Sequence, residues 1–348
     1  MNLRNEFDAP ASAIVLAEGE FGQTGGKTAN GVTSHSEVFD VEVVIDSSKA
    51  KKSAADVLGT KAVDDVPVVA SMDEALEAAP DAEVLVIGVA PAGGTLPNEW
   101  VSDIRDAMAA GCDVVSGLHV FLSADPEWQS HAAEAGVNLY DVRKPPADDE
   151  LRVADGRVDD LDVPVVLTMG TDCAVGKRTT TFELYREARD RGINAGWVAT
   201  GQTGIMVGAH AGTVIDRVPS DFAAGTVEDL VCEVAAEHEL VFVEGQAALS
   251  HRAYSGATLS ILHGAWPDSV ILADDPDRSA RTHFNRFDVW GVEREKAFIE
   301  ELSDADVAAI STWGDQETVT DEYGLPAGNV YANSGVSRIL DAVLEGVN

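Results

Sequence analysis

The sequence predicts an α/β protein of two domains, each built on a parallel sheet. Three observations carry this reading. At 348 residues the chain exceeds what one ordinary core encloses. Short β-branched runs alternate with amphipathic stretches almost throughout, the mark of parallel strands covered by helices on both faces. The stretch Val163–Thr181, VPVVLTMGTDCAVGKRTTT, restarts the pattern midway as an apolar strand, a glycine-containing loop and a Thr-rich helix start.

In the first half, strands are expected at Ile14–Leu16, Val41–Ile45, Val66–Ala70, Glu83–Val89, Cys112–Ser116 and Val137–Tyr140. Ile104, Ala107, Met108 and Gly111 recur at helical spacing. The segment DVRKPPADDELRVADG, Asp141–Gly156, breaks the alternation with two prolines and clustered charge. We therefore expect a first domain over 1–145, a linker over 146–160 and a second domain over 161–348. There, strands are expected at Val163–Met169, Ala195–Thr200, Leu240–Glu244, Ser269–Ala273 and Val307–Ser311. Helical stripes run through Val227, Leu230, Val231, Val234 and Ala235, and through Val336, Ile339, Leu340, Val343, Leu344 and Val347.

Composition excludes several function classes. Sixty acids against 24 bases give a net charge of −36, a field that repels nucleic acid and anionic membranes. The acids are spread along the chain, which suits a concentrated-salt cytoplasm where such charge is screened within a few Å. No apolar run approaches the roughly 20 residues needed to cross a bilayer, and the start MNLRNEFDAPAS lacks the character of a signal peptide. Cys112, Cys173 and Cys232 form no metal-binding pair or disulfide framework. None of the eight histidines shows zinc-ligand spacing, so no metal is expected.

The ends of the strands supply the candidate site, because ligands of open α/β sheets sit there. Gly170, Thr171, Asp172, Cys173, Ala174, Val175, Gly176, Lys177, Arg178, Thr179 and Thr180 form a phosphate-type loop running into a helix N-terminus. Gly170 and Gly176 are separated by five residues, and Arg178 stands where a hydroxyl residue normally follows the lysine to hold Mg²⁺. Phosphate binding is expected, ordinary ATP hydrolysis is not. Glu244 ends an apolar strand, placed to hold a metal or to take a proton. The glycine-rich turn GQTGIMVGAH after Ala195–Thr200 suggests either close backbone approach to a ligand or a plain loop. His251 and His283 are acid–base candidates. Cys173 lies inside the loop and is placed either as a nucleophile or, as preferred with no histidine tied to it by sequence, as a small loop spacer. In the first domain, Gly26-Lys27-Thr28 mimics a phosphate loop, but Phe21 stands where its first glycine belongs. Asp46 is placed as a ribose partner would be, and Gly88–Gly94 as an anion nest.

Two resemblances follow from these residues. GTDCAVGK with VEG at Val243–Gly245 resembles the dethiobiotin synthetase branch of P-loop proteins, over the second domain alone. A wider one spans nearly the whole chain: KTANGV, VVID, IGVAPAGG, DVRKPP, GTDCAVGKRTT, GQTG, PSDFAAGTVE and VEGQAALSH occur in order. Together they resemble the two-domain family described as D-glutamate N-acetyltransferases, whose members pair a Rossmann-like first domain with a P-loop NTPase-like second. That resemblance implies acetyl transfer from acetyl-CoA to the amine of D-glutamate, with a pathway partner of the enolase superfamily and a homo-oligomeric state. It implies that the loop grips the CoA phosphates and that Glu244, or Asp221 or His251, takes the ammonium proton. Lys27, Arg143, Lys144, Gln246, Arg252 and Arg281 are then candidates for holding the substrate carboxylates. The narrower resemblance implies instead a ligase or kinase using ATP with Mg²⁺, and a nucleotide-binding regulator without turnover is the third reading.

Overall fold

The computed structural model describes every residue except 8, 9, 61, 62, 64, 92, 93, 283, 333, 347 and 348. The chain divides into two compact units, Met1–Lys144 with Ile205–Ala209, and Pro145–Gly204 with His210–Asn348. Within the expected nest Gly88–Gly94, residues 92 and 93 lie outside the described residues, as do the candidate His283 and the stripe residue Val347.

The first unit runs β1 (Ala11–Leu16), α1 (Lys27–His35), β2 (Phe39–Ile45), α2 (Ala54–Leu58), β3 (Val68–Val69) and α3 (Met72–Ala78). It continues through β4 (Val84–Ile87), α4 (Asn98–Ala109), β5 (Asp113–Ser116), α5 (Pro126–Ala135) and β6 (Leu139–Asp141). The strands form one parallel sheet in the order β3-β2-β1-β4-β5-β6, the Rossmann arrangement. All four residues of β4 are buried, as parallel strands covered on both faces require. α4 buries Trp100, Ile104, Ala107 and Met108, whereas Gly111 lies beyond its end at φ 97°.

The loop after β1 is occupied by its own residues. Phe21 is fully buried, and Asp46 Oδ2 accepts the Phe21 N–H at 3.0 Å. Asp46 Oδ1 accepts the Ser48 N–H and hydroxyl at 2.9 and 2.6 Å. The carboxylate read as a ribose partner thus fastens two turns. A Cβ on Gly26 would fall 2.0 Å from the Glu20 carbonyl oxygen, so that glycine serves a tight turn. Gly88 gives room to α1, where a Cβ would meet Ala29 at 2.7 Å.

The second unit contains β7 (Val165–Gly170), α6 (Lys177–Asp190), β8 (Ala195–Ala199), the start of α7 (Gln202–Val207), whose residues from Ile205 on group with the first unit, β9 (Ala211–Gly212), α8 (Ser220–Ala235) and β10 (Leu240–Glu244). Then come α9 (Ser255–Ala265), β11 (Ser269–Asp274), β12 (Ala280–Arg281), β13 (Phe284–Asp288) and α10 (Val292–Leu302), followed by β14 (Asp306–Thr312), α11 (Gln316–Tyr323), β15 (Ala327–Gly328) and α12 (Gly335–Gly346). Its parallel sheet has the order β15-β14-β11-β7-β10-β8-β9, with β12 and β13 paired apart as an antiparallel hairpin. β7 lies between β10 and β11, so its loop opens beside the ends of both. α8 buries the expected stripe on this sheet.

The turn expected at GQTG is instead the start of α7. The segment before β7 is fastened to the second unit. Glu228 of α8, 1% exposed, accepts the N–H groups of Asp155, Gly156 and Arg157 at 2.8–3.1 Å. Its carboxylate also faces Arg157 Nη2 at 2.9 Å.

Candidate active site

The loop after β7 is shaped by its own backbone and held from outside. Ala174 and Gly176 take positive φ, 54° and 98°, which turns the chain sharply into α6. Gly170 has no room for a side chain between the Ala273 carbonyl and Val175. Thr171 donates its N–H to the Ala273 oxygen at 3.0 Å and its hydroxyl to Asp274 Oδ1 at 2.7 Å. Burial, opposed chiefly by that hydroxyl, raises the Asp274 carboxyl above its ordinary range.

Two arginines near the β12–β13 hairpin brace the loop. Arg281, 1% exposed, donates to the Thr171 carbonyl and the Ser250 hydroxyl, and its Nε reaches the Asp288 carbonyl at 3.1 Å. It also stands 3.5 Å from Asp172 Oδ1 and 4.0 Å from Glu295 Oε1. Arg278 Nη1 donates to the Cys173 carbonyl at 2.6 Å and faces Asp172 Oδ2 at 3.5 Å. Arg281 was expected to hold substrate carboxylates; its donors are engaged inside the unit, so it is a buried brace. Glu295 of α10, its partner, accepts Leu249 N–H at 3.0 Å and Ser250 N–H at 3.2 Å. Burial raises the Glu295 carboxyl, with the Ser250 bonds and Arg281 pulling the other way.

Asp172 is fully buried. Burial works against its charge, but the N–H groups of Thr282 and Cys173, the Thr282 hydroxyl and Arg281 outweigh it and hold the carboxyl below its usual range. Lys177, 7% exposed, folds its ammonium onto the Asp172 carbonyl. Burial pushes Lys177 down to about 8, against the pull of Cys173, Asp172, Glu244 and Glu295. Burial lowers Arg178 as well, opposed first by Glu244. Its Nη1 is buried with no hydrogen-bond partner among the described residues.

Glu244, 5% exposed, therefore acts electrostatically on both cations of the loop. Gln246 Nε2 lies 3.4 Å from Glu244 Oε1 and 3.1 Å from Thr200 Oγ1, while Thr200 donates to the Glu244 carbonyl at 2.6 Å. The glycines nearby make room for this carboxylate. A Cβ on Gly204 would sit 2.6 Å from Glu244 Oε2, and one on Gly245 would sit 2.2 Å from the Thr168 carbonyl. Gly204 is thus a glycine because Glu244 presses on it.

His251, fully buried, enters the same site. Its Nδ1 accepts the Ala253 N–H at 3.2 Å, so the neutral ring carries its proton on Nε2. Nε2 has no hydrogen-bond partner among the described residues and lies 3.7 Å from Asp172 Oδ1. The ring stacks on Tyr254 at 4.8 Å and meets Phe284 edge-on at 5.4 Å. Burial, then Arg281, lowers the His251 imidazole, which keeps it neutral near neutral pH. Single atoms of Asp172, Cys173 and His251 all lie within 4.8 Å of one another. That set suits a divalent cation poorly, because Arg278, Arg281 and Lys177 crowd it with positive charge.

The other candidates are placed as follows. Thr180 is fully buried and bonded to Ser311 Oγ at 2.7 Å, so its hydroxyl is closed to a ligand; Thr179 is partly exposed. Asp221 is exposed in the first turn of α8. Arg252 is exposed and stacks over Phe287 at 4.5 Å. Lys27, Arg143 and Lys144 belong to the first unit. Lys27 is exposed at the start of α1, Arg143 is 7% exposed, and Lys144 reaches Ser123 Oγ at 3.3 Å. Sequence reasoning missed Arg278, Glu295 and the pairing of His251 with Cys173. The motif GTDC and the histidine of VEGQAALSH were visible, but not their approach.

Two family profiles match the chain. One, described as a domain of unknown function (DUF1611_C) P-loop domain, covers residues 152–340; its companion, a DUF1611_N Rossmann-like domain, covers residues 47–145. A protein of Tritonibacter scottomollicae named D-glutamate N-acetyltransferase is 35% identical over 277 residues, 75% of this chain and 81% of its own. A protein of the same name from Pseudoalteromonas is 35% identical over 198 residues, 57% of this chain and 58% of its own. The crystal structure of a DUF1611 family protein from Anabaena variabilis superposes with a TM-score of 0.86 at 30% identity, covering 96% of this chain and 99% of that one.

Proposed function

The chain belongs to the DUF1611 family, and from that premise we propose that it moves an acetyl group from acetyl-CoA to the amine of an acidic amino acid, D-glutamate first among them. The observation that carries the reading is the grouping of Lys177, Arg178 and Glu244 at the ends of β7 and β10. Two cations beside one carboxylate complement a dicarboxylic amino acid: the cations take its carboxylates, and Glu244 takes its ammonium and then a proton from it. Attack on a thioester needs the free amine, and a carboxylate in hydrogen-bond reach supplies it. Backbone N–H groups at the start of α6 are oriented to steady the oxyanion that forms.

This arrangement bears on where CoA sits. The pantetheine arm separates its diphosphate from its thioester, so one short loop cannot grip the phosphates while Glu244 serves the amine beside that loop. With the amine at Glu244, the CoA phosphates are held outside the loop. A second reading keeps the loop for phosphates, of CoA or of ATP with Mg²⁺, and is favoured by the run of N–H groups entering α6. Against the Mg²⁺ form stand Arg178 after the lysine and the Thr180 hydroxyl closed onto Ser311.

The test is a product assay by mass spectrometry with acetyl-CoA and each enantiomer of glutamate and aspartate in concentrated KCl. An acetylated amino acid supports the reading, and a product only with Mg·ATP defeats it. Thermal stabilisation by D-glutamate, lost in Lys177→Ala, supports the loop as acceptor site. Stabilisation by adenosine 3′,5′-diphosphate, lost in the same variant, assigns the loop to CoA phosphates instead.

A further inference from the structure

We propose that Cys173 is the nucleophile of this reaction, receiving the acetyl group from CoA as a thioester before the amine takes it; the inference rests on the acetyltransferase reading above. Three independent features of the loop converge on that sulfur. Cys173 is partly exposed within the loop, next to the exposed Ala174, while Asp172, Lys177 and His251 are buried. Cys173 follows Asp172, whose carbonyl accepts from the Lys177 ammonium, and stands four residues before the first turn of α6. A nearby cation and a helix N-terminus are the two settings that favour a thiolate. The third feature is His251, fully buried, with a ring nitrogen within 4.8 Å of the sulfur; its Nε2 has no hydrogen-bond partner among the described residues and lies 3.7 Å from Asp172 Oδ1.

The direction of His251 gives it a role. Its Nδ1 accepts the Ala253 N–H, so Nε2 carries the hydrogen and offers a donor 3.7 Å from Asp172 Oδ1, within the cluster that holds the sulfur. It steadies a thiolate there and is a positioning residue; no proton is taken by it. Tyr254 stacked on the ring and Phe284 perpendicular to it hold it in place. Arg278, donating to the Cys173 carbonyl, fixes the backbone that carries the sulfur.

The chemistry balances without a further reagent. The Cys173 thiolate attacks the carbonyl carbon of acetyl-CoA. A carbon–sulfur bond forms to the protein, the bond to the CoA sulfur breaks, and CoA leaves as a thiolate. One thioester replaces another, so this step is close to thermoneutral. Glu244 then takes a proton from the substrate ammonium, and the amine nitrogen attacks the acetyl-cysteine carbonyl. The carbon–nitrogen bond forms as the Cys173 sulfur departs as thiolate. Of the two protons lost by the ammonium, one ends on the CoA sulfur and one in solvent. Formation of the amide drives the second step.

The experiment is to incubate the full chain with acetyl-CoA, omit the amino acid, quench in acid and weigh the intact protein. The expected result is one added acetyl group per chain, mapped to Cys173, removed by neutral hydroxylamine and discharged as N-acetylglutamate when D-glutamate is added. Initial rates should give parallel lines in double-reciprocal plots. Cys173→Ala should lose the adduct and about a thousand-fold or more in turnover, with an unchanged melting midpoint. The proposal is overturned if product forms at full rate with intersecting lines and no adduct, or if Cys173→Ala turns over like wild type. Either outcome leaves the acetyltransferase reading standing. Absence of both adduct and product with every acidic amino acid defeats that reading as well.

Discussion

Replacing Arg281 with methionine separates a buried brace from a substrate ligand. The guanidinium faces Asp172 at 3.5 Å and Glu295 at 4.0 Å, and both carboxylates are buried. At an effective dielectric of about 20, each attraction is roughly 4–5 kcal/mol before the cost of desolvation. The variant keeps the volume of the stem but leaves Asp172 and Glu295 without this countercharge and the Thr171 and Asp288 carbonyls without the Arg281 donor. Breaking a buried pair from one side costs about 3–5 kcal/mol, and that is the loss expected in the second unit. Urea unfolding read by hydrogen exchange at the amides of β7 and β11 measures it separately from the first unit. In a double-mutant cycle, Arg281→Met with Glu295→Gln should lose clearly less than the sum of the single changes. If Arg281→Met instead stays within about 0.5 kcal/mol of wild type and only raises the KM for the amino acid, the brace assignment is wrong.

Three further outcomes are expected. Lys177 has its pKa depressed from 10.5 to about 8, so between those values the unfolded chain holds a proton the folded one lacks. Stability should rise with pH across that window, by up to about 3 kcal/mol. Lys177→Met should abolish the slope, raise the melting midpoint at neutral pH and remove stabilisation by the ligand, as calorimetry at stepped pH would show. Gly204→Ala drives a Cβ to 2.6 Å from both Glu244 Oε2 and the Ala199 Cβ. It should cost about 1–3 kcal/mol and lower kcat/KM about tenfold or more, since each 1.4 kcal/mol misplaced at the transition state is tenfold. Gly256→Ala, with open space at its Cβ, is the neutral control. With a net charge of −36, the melting midpoint should climb steeply from about 0.1 M to multimolar KCl as repulsion is screened; a flat response would remove the salt-adapted reading.

The main strands were legible because a parallel strand covered on both faces is a run of apolar residues, as in Val165–Gly170 and Ser269–Asp274. β9 and β15, two residues each, leave no period to read, and β13 with the sequence FNRFD has no apolar face. The loop and Glu244 were legible for a related reason: a chemical residue directly after an apolar strand stands at the sheet's binding edge. The rest was not, since its partners are remote in sequence. Arg281 meets Asp172 across 109 positions, and no local pattern marks that approach. The glycines of GQTG misled because a missing side chain signals only that something comes close. Here it is Glu244, and α7 forms nonetheless.

The bracing of the loop carbonyls by Arg278 and Arg281 has a consequence for biosynthesis. Those donors leave the ribosome more than a hundred residues after the loop they hold, since Arg278 meets the Cys173 carbonyl across 105 positions. A nascent chain ending at Asp277 can assemble β7, β8, β10 and β11 yet lacks what locks Thr171 and Cys173 in place. Competence therefore arrives in one late event, with emergence of the hairpin. Truncated chains will present the sheet without a finished site, so a half-made enzyme does not engage its substrates.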